Sequence, residues 1–125
     1  MFLLAISFQL NAQLAEGESK FLGNLHYQGE DPANFAEYWN QITPENSGKW
    51  ASCEQARDDF NYWGWLDAAY DFARDNNFLF KQHNMVWGHS SGEPDWMSSV
   101  PQNEQYDEVV EWFQAYSERF PDVER

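Results

Sequence analysis

The chain has one cysteine, Cys53, in 125 residues, so no intramolecular disulfide can form, and neither a zinc ribbon nor a disulfide-stapled scaffold is open to it. Basic residues are scarce as well: seven Lys and Arg stand against 21 Asp and Glu, a formal net charge of −14. A field of that sign repels a phosphate backbone and an anionic lipid surface, which removes nucleic acid and membranes as partners. No apolar run is as long as a bilayer span. A glycine-rich phosphate loop is also missing, since Gly23-Asn24-Leu25-His26 supplies a single glycine where a dinucleotide-binding fold needs several.

Aromatic residues, by contrast, are abundant. Seven Trp, six Tyr and ten Phe make up 18% of the chain, more than a small core needs. Flat rings serve as core filling or as stacking surfaces for sugars, and composition alone is met by the core reading. The opening stretch Met1-Phe2-Leu3-Leu4-Ala5-Ile6-Ser7-Phe8 is apolar, and Asn11-Ala12-Gln13 places a small residue before a plausible cut. Residues 1–15 thus resemble the end of a secretory signal that lacks its basic start, and a secreted protein is expected.

The remaining residues alternate between two periodicities. Lys20-Phe21-Leu22-Gly23-Asn24-Leu25 is a short apolar run suited to a buried strand. Pro32 is a favoured first helical residue, and a short helix is predicted through Phe35, Ala36 and Trp39. Gln41-Ile42-Thr43 reads as a brief strand stopped by Pro44. From Asn61 to Asn76, Trp65, Leu66, Ala69, Tyr70 and Ala73 fall at three- and four-residue spacings, which predicts a helix with one buried stripe, ended by Asn76-Asn77. A longer strand is predicted from Phe78-Leu79-Phe80 through Met85-Val86-Trp87. A last helix carries Tyr106, Val109, Val110, Phe113 and Phe120 and stops at Pro121.

Strand, helix, strand, helix, strand, helix implies right-handed crossovers and parallel strands, hence an α/β fold. Without the phosphate loop of a doubly wound sheet, a closed barrel is the better reading. An eight-stranded barrel needs about 250 residues, so the expectation is the N-terminal portion of a (β/α)8 TIM barrel, about three β/α units, with 16–125 forming an incomplete barrel domain.

In such a barrel the chemistry sits at the C-terminal ends of the strands. The second strand runs into Thr43-Pro44-Glu45-Asn46 with Lys49-Trp50 just beyond, and the third carries His83 and Trp87. A sugar hydroxyl both donates and accepts, so a recognition subsite calls for a carboxylate, an amide and an ammonium; Glu45, Asn46 and Lys49 supply one of each. Taken singly these are also ordinary loop residues, His83 an ordinary core histidine and Trp87 a core aromatic. Strand parity places His83, Met85 and Trp87 on one face and Phe80, Gln82, Asn84 and Val86 on the other. The same parity turns Lys81 inward with no evident partner. His26, His83 and His89 lack the spacing of a zinc site, so no metal and no cofactor is expected.

Ile42-Thr43-Pro44-Glu45-Asn46-Ser47-Gly48-Lys49-Trp50 resembles the second-strand signature of family 10 glycoside hydrolases, the endo-1,4-β-xylanases. His83-Asn84-Met85-Val86-Trp87 is similar to that family's third-strand stretch, Phe60-Asn61 through Leu66-Asp67 to the entry of its second helix, and Glu111-Trp112-Phe113 through Val123 to its third helix and exit. The resemblance spans about residues 20–125.

It implies a secreted, monomeric enzyme that hydrolyses internal β-1,4 bonds of xylan with retention. Glu45, Asn46 and Lys49 would hydrogen-bond the xylose one removed from the cleavage point, and His83 and Trp87 would hold the unit being cleaved, with Trp50 packed beneath. Retaining hydrolysis needs two glutamates about 5–5.5 Å apart; the family carries them after the fourth strand and on the seventh, neither of which falls within these residues, so the isolated chain is expected to be inactive. The Gly88-His89-Ser90-Ser91-Gly92-Glu93-Pro94-Asp95-Trp96 loop is longer than the family's and lacks its glutamine. Two other readings remain: a retaining barrel glycosidase acting on a β-1,4-glucan, and a non-catalytic carbohydrate-binding module, a class built mostly as β-sandwiches.

Overall fold

The computed structural model describes residues 14–27, 33–62 and 64–123. Strand β1 (Gly23–His26), helix α1 (Phe35–Tyr38), strand β2 (Gln41–Pro44), helix α2 (Trp50–Cys53), helix α3 (Trp65–Asp75), strand β3 (Leu79–Phe80), a 3-10 turn (Asp95–Ser99) and helix α4 (Gln105–Arg119) follow in order. The sheet runs β1-β2-β3 and both pairings are parallel. Helices connect the strands, which is the expected right-handed β/α succession and the opening three units of a barrel. Nearly all of the expected signal remnant lies outside the described residues, as does Pro32.

Helix α3 forms because Leu66, Ala69, Tyr70 and Ala73 recur on one face, and all four are buried. It begins at Trp65, four residues later than Asn61, because Gly64 takes a left-handed φ of 70° that a helix cannot contain. Its end is a two-bond cap: Asn77 at φ 56° donates its N–H to the Arg74 carbonyl at 3.1 Å, and Phe78 donates to Ala73 at 2.8 Å. Helix α4 buries Glu108, Trp112 and Tyr116 and ends one residue before Phe120.

The core lies between the sheet and the helices. Ile42 is fully buried, and Phe80 meets the Tyr70 ring edge-on at 5.5 Å. Trp112 is stacked against both Trp50, at 6.1 Å, and Phe60, at 6.2 Å. Rings of this size bury about 150–250 Å² each, on the order of 4–6 kcal/mol of transfer free energy apiece. Much of the aromatic excess is therefore core.

Gly23 is required where β1 meets β2, because a Cβ there would stand 1.7 Å from Gln41 Oε1, whose amide bonds Thr43 Oγ1 across the same strand at 2.7 Å.

The third strand corrects the sequence expectation. Only Leu79 and Phe80 pair, with Gln41 and Ile42, so the long strand to Trp87 does not form. Lys81 still donates its N–H to the Ile42 carbonyl at 2.9 Å, and burial still alternates as far as His83: Phe80 and Gln82 are buried, Lys81 and His83 exposed. Lys81 thus lies exposed on the sheet face away from the helices, the face that a closed barrel turns inward, as parity placed it. Beyond His83 the alternation ends, and Val86 and Trp87 are both exposed. Two elements escaped the sequence reading altogether, α2 and the 3-10 turn, each too short to show a period.

Candidate functional site

β2 delivers the first group of candidate residues. Glu45 leaves the strand with its N–H on the His26 carbonyl at 3.1 Å, and its Oε2 is buried without a partner among the described residues. A turn follows, closed by Lys49 N–H on Asn46 O at 3.1 Å. Lys49 then begins α2, its carbonyl accepting from the N–H groups of Ser52 at 2.9 Å and Cys53 at 3.1 Å. The turn brings the two side chains together, with Lys49 Nζ donating to Asn46 Oδ1 at 2.7 Å.

The second group arrives through the segment after β3. The Lys49 ammonium stands 5.2 Å from the centre of the Trp87 ring, within the range of a cation–π attraction. Trp87 is in turn stacked on His89 at 4.8 Å with 18° between the planes. Gly92 closes against Trp87: an added Cβ there would lie 2.9 Å from Trp87 Cβ. The Gly92 carbonyl accepts from Ala51 N–H at 3.4 Å, tying this loop to α2.

Asn46, Lys49 and Trp87 therefore converge from two strand ends, and Glu45 adjoins them in the same turn. His83 sits at the same end of the sheet, exposed, with no hydrogen bond, ion pair or ring contact among the described residues. Trp50 lies underneath, 1% exposed, edge-on to Trp96 at 5.8 Å and donating its Nε1–H to Glu54 Oε2 at 2.6 Å.

The layer behind the site went unread in the sequence. Gln82 is buried and donates from its side-chain amide to the Gly48 carbonyl, while its Oε1 accepts from the Tyr116 hydroxyl at 2.7 Å. Cys53 donates Sγ–H to the Ser47 carbonyl at 3.2 Å. Burial pushes the Cys53 thiol from its ordinary 9.0 up to about 12, helped by the nearby Asp67 and Glu54 carboxylates. Burial likewise raises the Glu54 carboxyl, against the lowering effect of the Trp50 and Asp58 hydrogen bonds, with Glu111 and Asp58 adding repulsion. The available signal was parity, which put Gln82 on the Phe80 face, but parity does not name a partner 34 residues away.

The three histidines form no metal-type group among the described residues; Asp58, Glu108 and Glu111 do bring carboxylate oxygens within 4.8 Å of one another. Arg57 already pairs with Glu108 there, and the group has no imidazole or thiolate. No described helix is long and apolar enough to cross a membrane.

Parallel β/α units whose polar and aromatic residues gather at the C-terminal strand ends are the arrangement of a β/α-barrel enzyme site. The chain belongs to glycosyl hydrolase family 10, whose model matches residues 8–124. It is 42% identical over 104 residues to endo-1,4-beta-xylanase B of Cellvibrio japonicus, covering 83% of this chain and 17% of that protein. Among solved structures, xylanase 10B from Thermotoga petrophila, in complex with xylobiose, superposes with a TM-score of 0.76 at 21% identity, over 93% of this chain and 38% of that one. A psychrophilic family 10 endo-beta-1,4-xylanase gives 0.72 at 27% identity, over 82% and 34%. The chain thus spans a minor part of each relative's length.

Proposed function

We propose that this chain carries glycone-side sugar-binding residues of a secreted endo-1,4-β-xylanase that cleaves xylan with retention. Asn46, Lys49 and Glu45 bind the xylose one unit away from the cleavage point, and His83 and Trp87 hold the unit being cleaved. The observation that carries this reading is the meeting of Asn46 and Lys49 with Trp87, from two different strand ends, in a family 10 chain. The unpartnered Glu45 oxygen supports it, since a buried acceptor is costly until a hydroxyl reaches it. The acid/base and nucleophilic glutamates lie outside residues 1–125, so these residues alone are inactive.

The test uses the protein expressed to the full length its gene encodes. It should release xylo-oligosaccharides from xylan and little from cellulose, and Lys49→Ala or Asn46→Ala should raise KM for xylotetraose about tenfold, the range for losing a charge-assisted hydrogen bond. Hydrolysis of a β-1,4-glucan in preference to xylan would hand the assignment to another barrel glycosidase. Xylan hydrolysis by residues 1–125 alone would refute the placement of the glutamates. A β-sandwich carbohydrate-binding module is disfavoured by the parallel, helix-connected sheet.

A further inference from the structure

We propose that Gln82 is a positioning residue for the sugar subsite, fixing the Asn46–Lys49 turn to the end of β3 through its side-chain amide. The inference rests on the reading of Asn46 and Lys49 as sugar ligands. Gln82 is 8% exposed and belongs to neither group of candidate ligands. Its amide spans the two segments that deliver them. Gly48, whose carbonyl it holds, lies between Asn46 and Lys49, and His83 is the next residue in the chain.

The orientation of the amide is chemically determined. A carbonyl only accepts, so the Gln82 nitrogen must face Gly48, which leaves the oxygen for the Tyr116 hydroxyl at 2.7 Å. Tyr116 is itself anchored in the core, with ring centres 5.3 Å from Trp112 and 4.8 Å from Phe120. The tether therefore runs from the last turn of α4, through Gln82, to the turn after β2. The turn is built to receive it: a Cβ on Gly48 would stand 2.6 Å from Gln82 Oε1 and 2.9 Å from Pro44 Cγ, so only glycine allows the approach.

Lys49 is a long, flexible side chain, and its usefulness to a ligand depends on where its backbone starts. With the Gly48 carbonyl released, the turn that aligns Lys49 Nζ with Asn46 Oδ1 loses its fixed origin. Substrate then has to order the turn on binding, and affinity falls without any change at the reacting atoms.

In the full-length protein, Gln82→Met should raise KM for xylotetraose about tenfold, the size of one lost buried hydrogen bond, while kcat stays within about twofold. Gln82→Glu, which keeps the shape and the acceptor but has no proton for Gly48, should match Gln82→Met. Tyr116→Phe, which removes one hydroxyl, should raise KM about threefold and add little when combined with Gln82→Met. A purely structural role predicts the reverse pattern, a smaller active fraction with lower kcat and unchanged KM, and that pattern overturns the proposal even if only Tyr116→Phe folds. Lys49→Ala separates the two levels of argument: an unchanged KM there defeats the sugar-ligand reading, whereas a raised KM with an unaffected Gln82→Met defeats only the positioning role.

Discussion

The loops that leave β2 and β3 meet at one end of the sheet, yet they are held in opposite ways. In the first, three consecutive carbonyls are taken: those of Ser47 and Lys49 by α2, through the Cys53 thiol and the N–H groups at its start, and that of Gly48 by Gln82, 34 residues on. In the second, most bonds are internal. His89 O accepts from Gly92 at 2.8 Å and from Glu93 at 3.0 Å, and His89 Nδ1 accepts from Ser91 N–H at 3.2 Å. Past Gln82, which is held by Gly48 and Tyr116, its ties to the rest among the described residues include Trp112 Nε1–H on Met85 O at 2.8 Å and Ala51 N–H on Gly92 O at 3.4 Å. The first loop is ordered by folding itself. The second relies on the first, through Lys49 and Ala51, so the ligands on β2 act as a fixed jaw and Trp87 as an adjustable one.

Matched glycine substitutions test this contrast with the largest expected effect. Gly48→Ala drives a methyl into Gln82 and Pro44, groups pinned by Tyr116 and by the strand, and overpacking of that kind destabilises by about 1–3 kcal/mol. Gly92→Ala meets Trp87 at 2.9 Å, but Trp87 is exposed and its loop can shift outward, so a loss below about 1 kcal/mol is expected. Urea denaturation midpoints decide it. Equal losses would mean that the two loops are equally fixed.

Alkaline pH offers a gentler way to weaken the thiol that bonds the first loop. The unfolded Cys53 thiol ionises near 9.0 and the folded one at about 12, so between these values the folded state holds a proton that the unfolded state has released. Stability therefore falls as pH rises through that window, by about 1.4 kcal/mol per unit for this group. Tyr62, raised by burial to about 12, adds a further loss from above its ordinary 10.0. Cys53→Ala should leave the part due to Tyr62 and to Tyr116 and Tyr70, both also raised by burial, and make the decline above pH 9 visibly shallower in denaturation curves measured at successive pH values. An unchanged slope would show that the thiol is not held buried in the folded state. At pH 8 the same thiol should resist a disulfide reagent until the protein unfolds.

The sequence made the two long helices plain because their signals are local. Leu66, Ala69, Tyr70 and Ala73 announce α3 by spacing, Asn77 announces its end, and Pro121 marks the limit of α4. Of the candidate residues, the sequence reading placed Asn46, Lys49 and Trp87 at one end of the sheet, and there they lie together. The length of β3 was not legible, because the residues from Phe78 to Trp87 look like a strand by composition, whereas pairing with β2 stops at Phe80. Glu45, His83 and Gln82 show the same limit from another side. What a polar side chain faces is decided by residues far away in the chain, such as Tyr116 for Gln82, and no periodicity encodes that.

The smallest expected effect probes the adjustable jaw directly. His89 lies flat on Trp87 at 4.8 Å, and its Nδ1 bonds Ser91, but both aromatic residues are exposed. An aromatic pair in a core contributes about 0.5–1.5 kcal/mol beyond burial; in solvent, where water competes for both faces, His89→Ala should cost less than about 0.5 kcal/mol of stability. If the second loop is positioned mainly through the first, affinity for xylotetraose should also change less than about threefold, because Lys49 and Gly92 still hold the Trp87 ring. Denaturation and substrate titration of the full-length His89→Ala protein give both numbers. A stability loss approaching that of Gly48→Ala would place the anchor of the site in the His89–Gly92 turn and reverse the order of the two jaws.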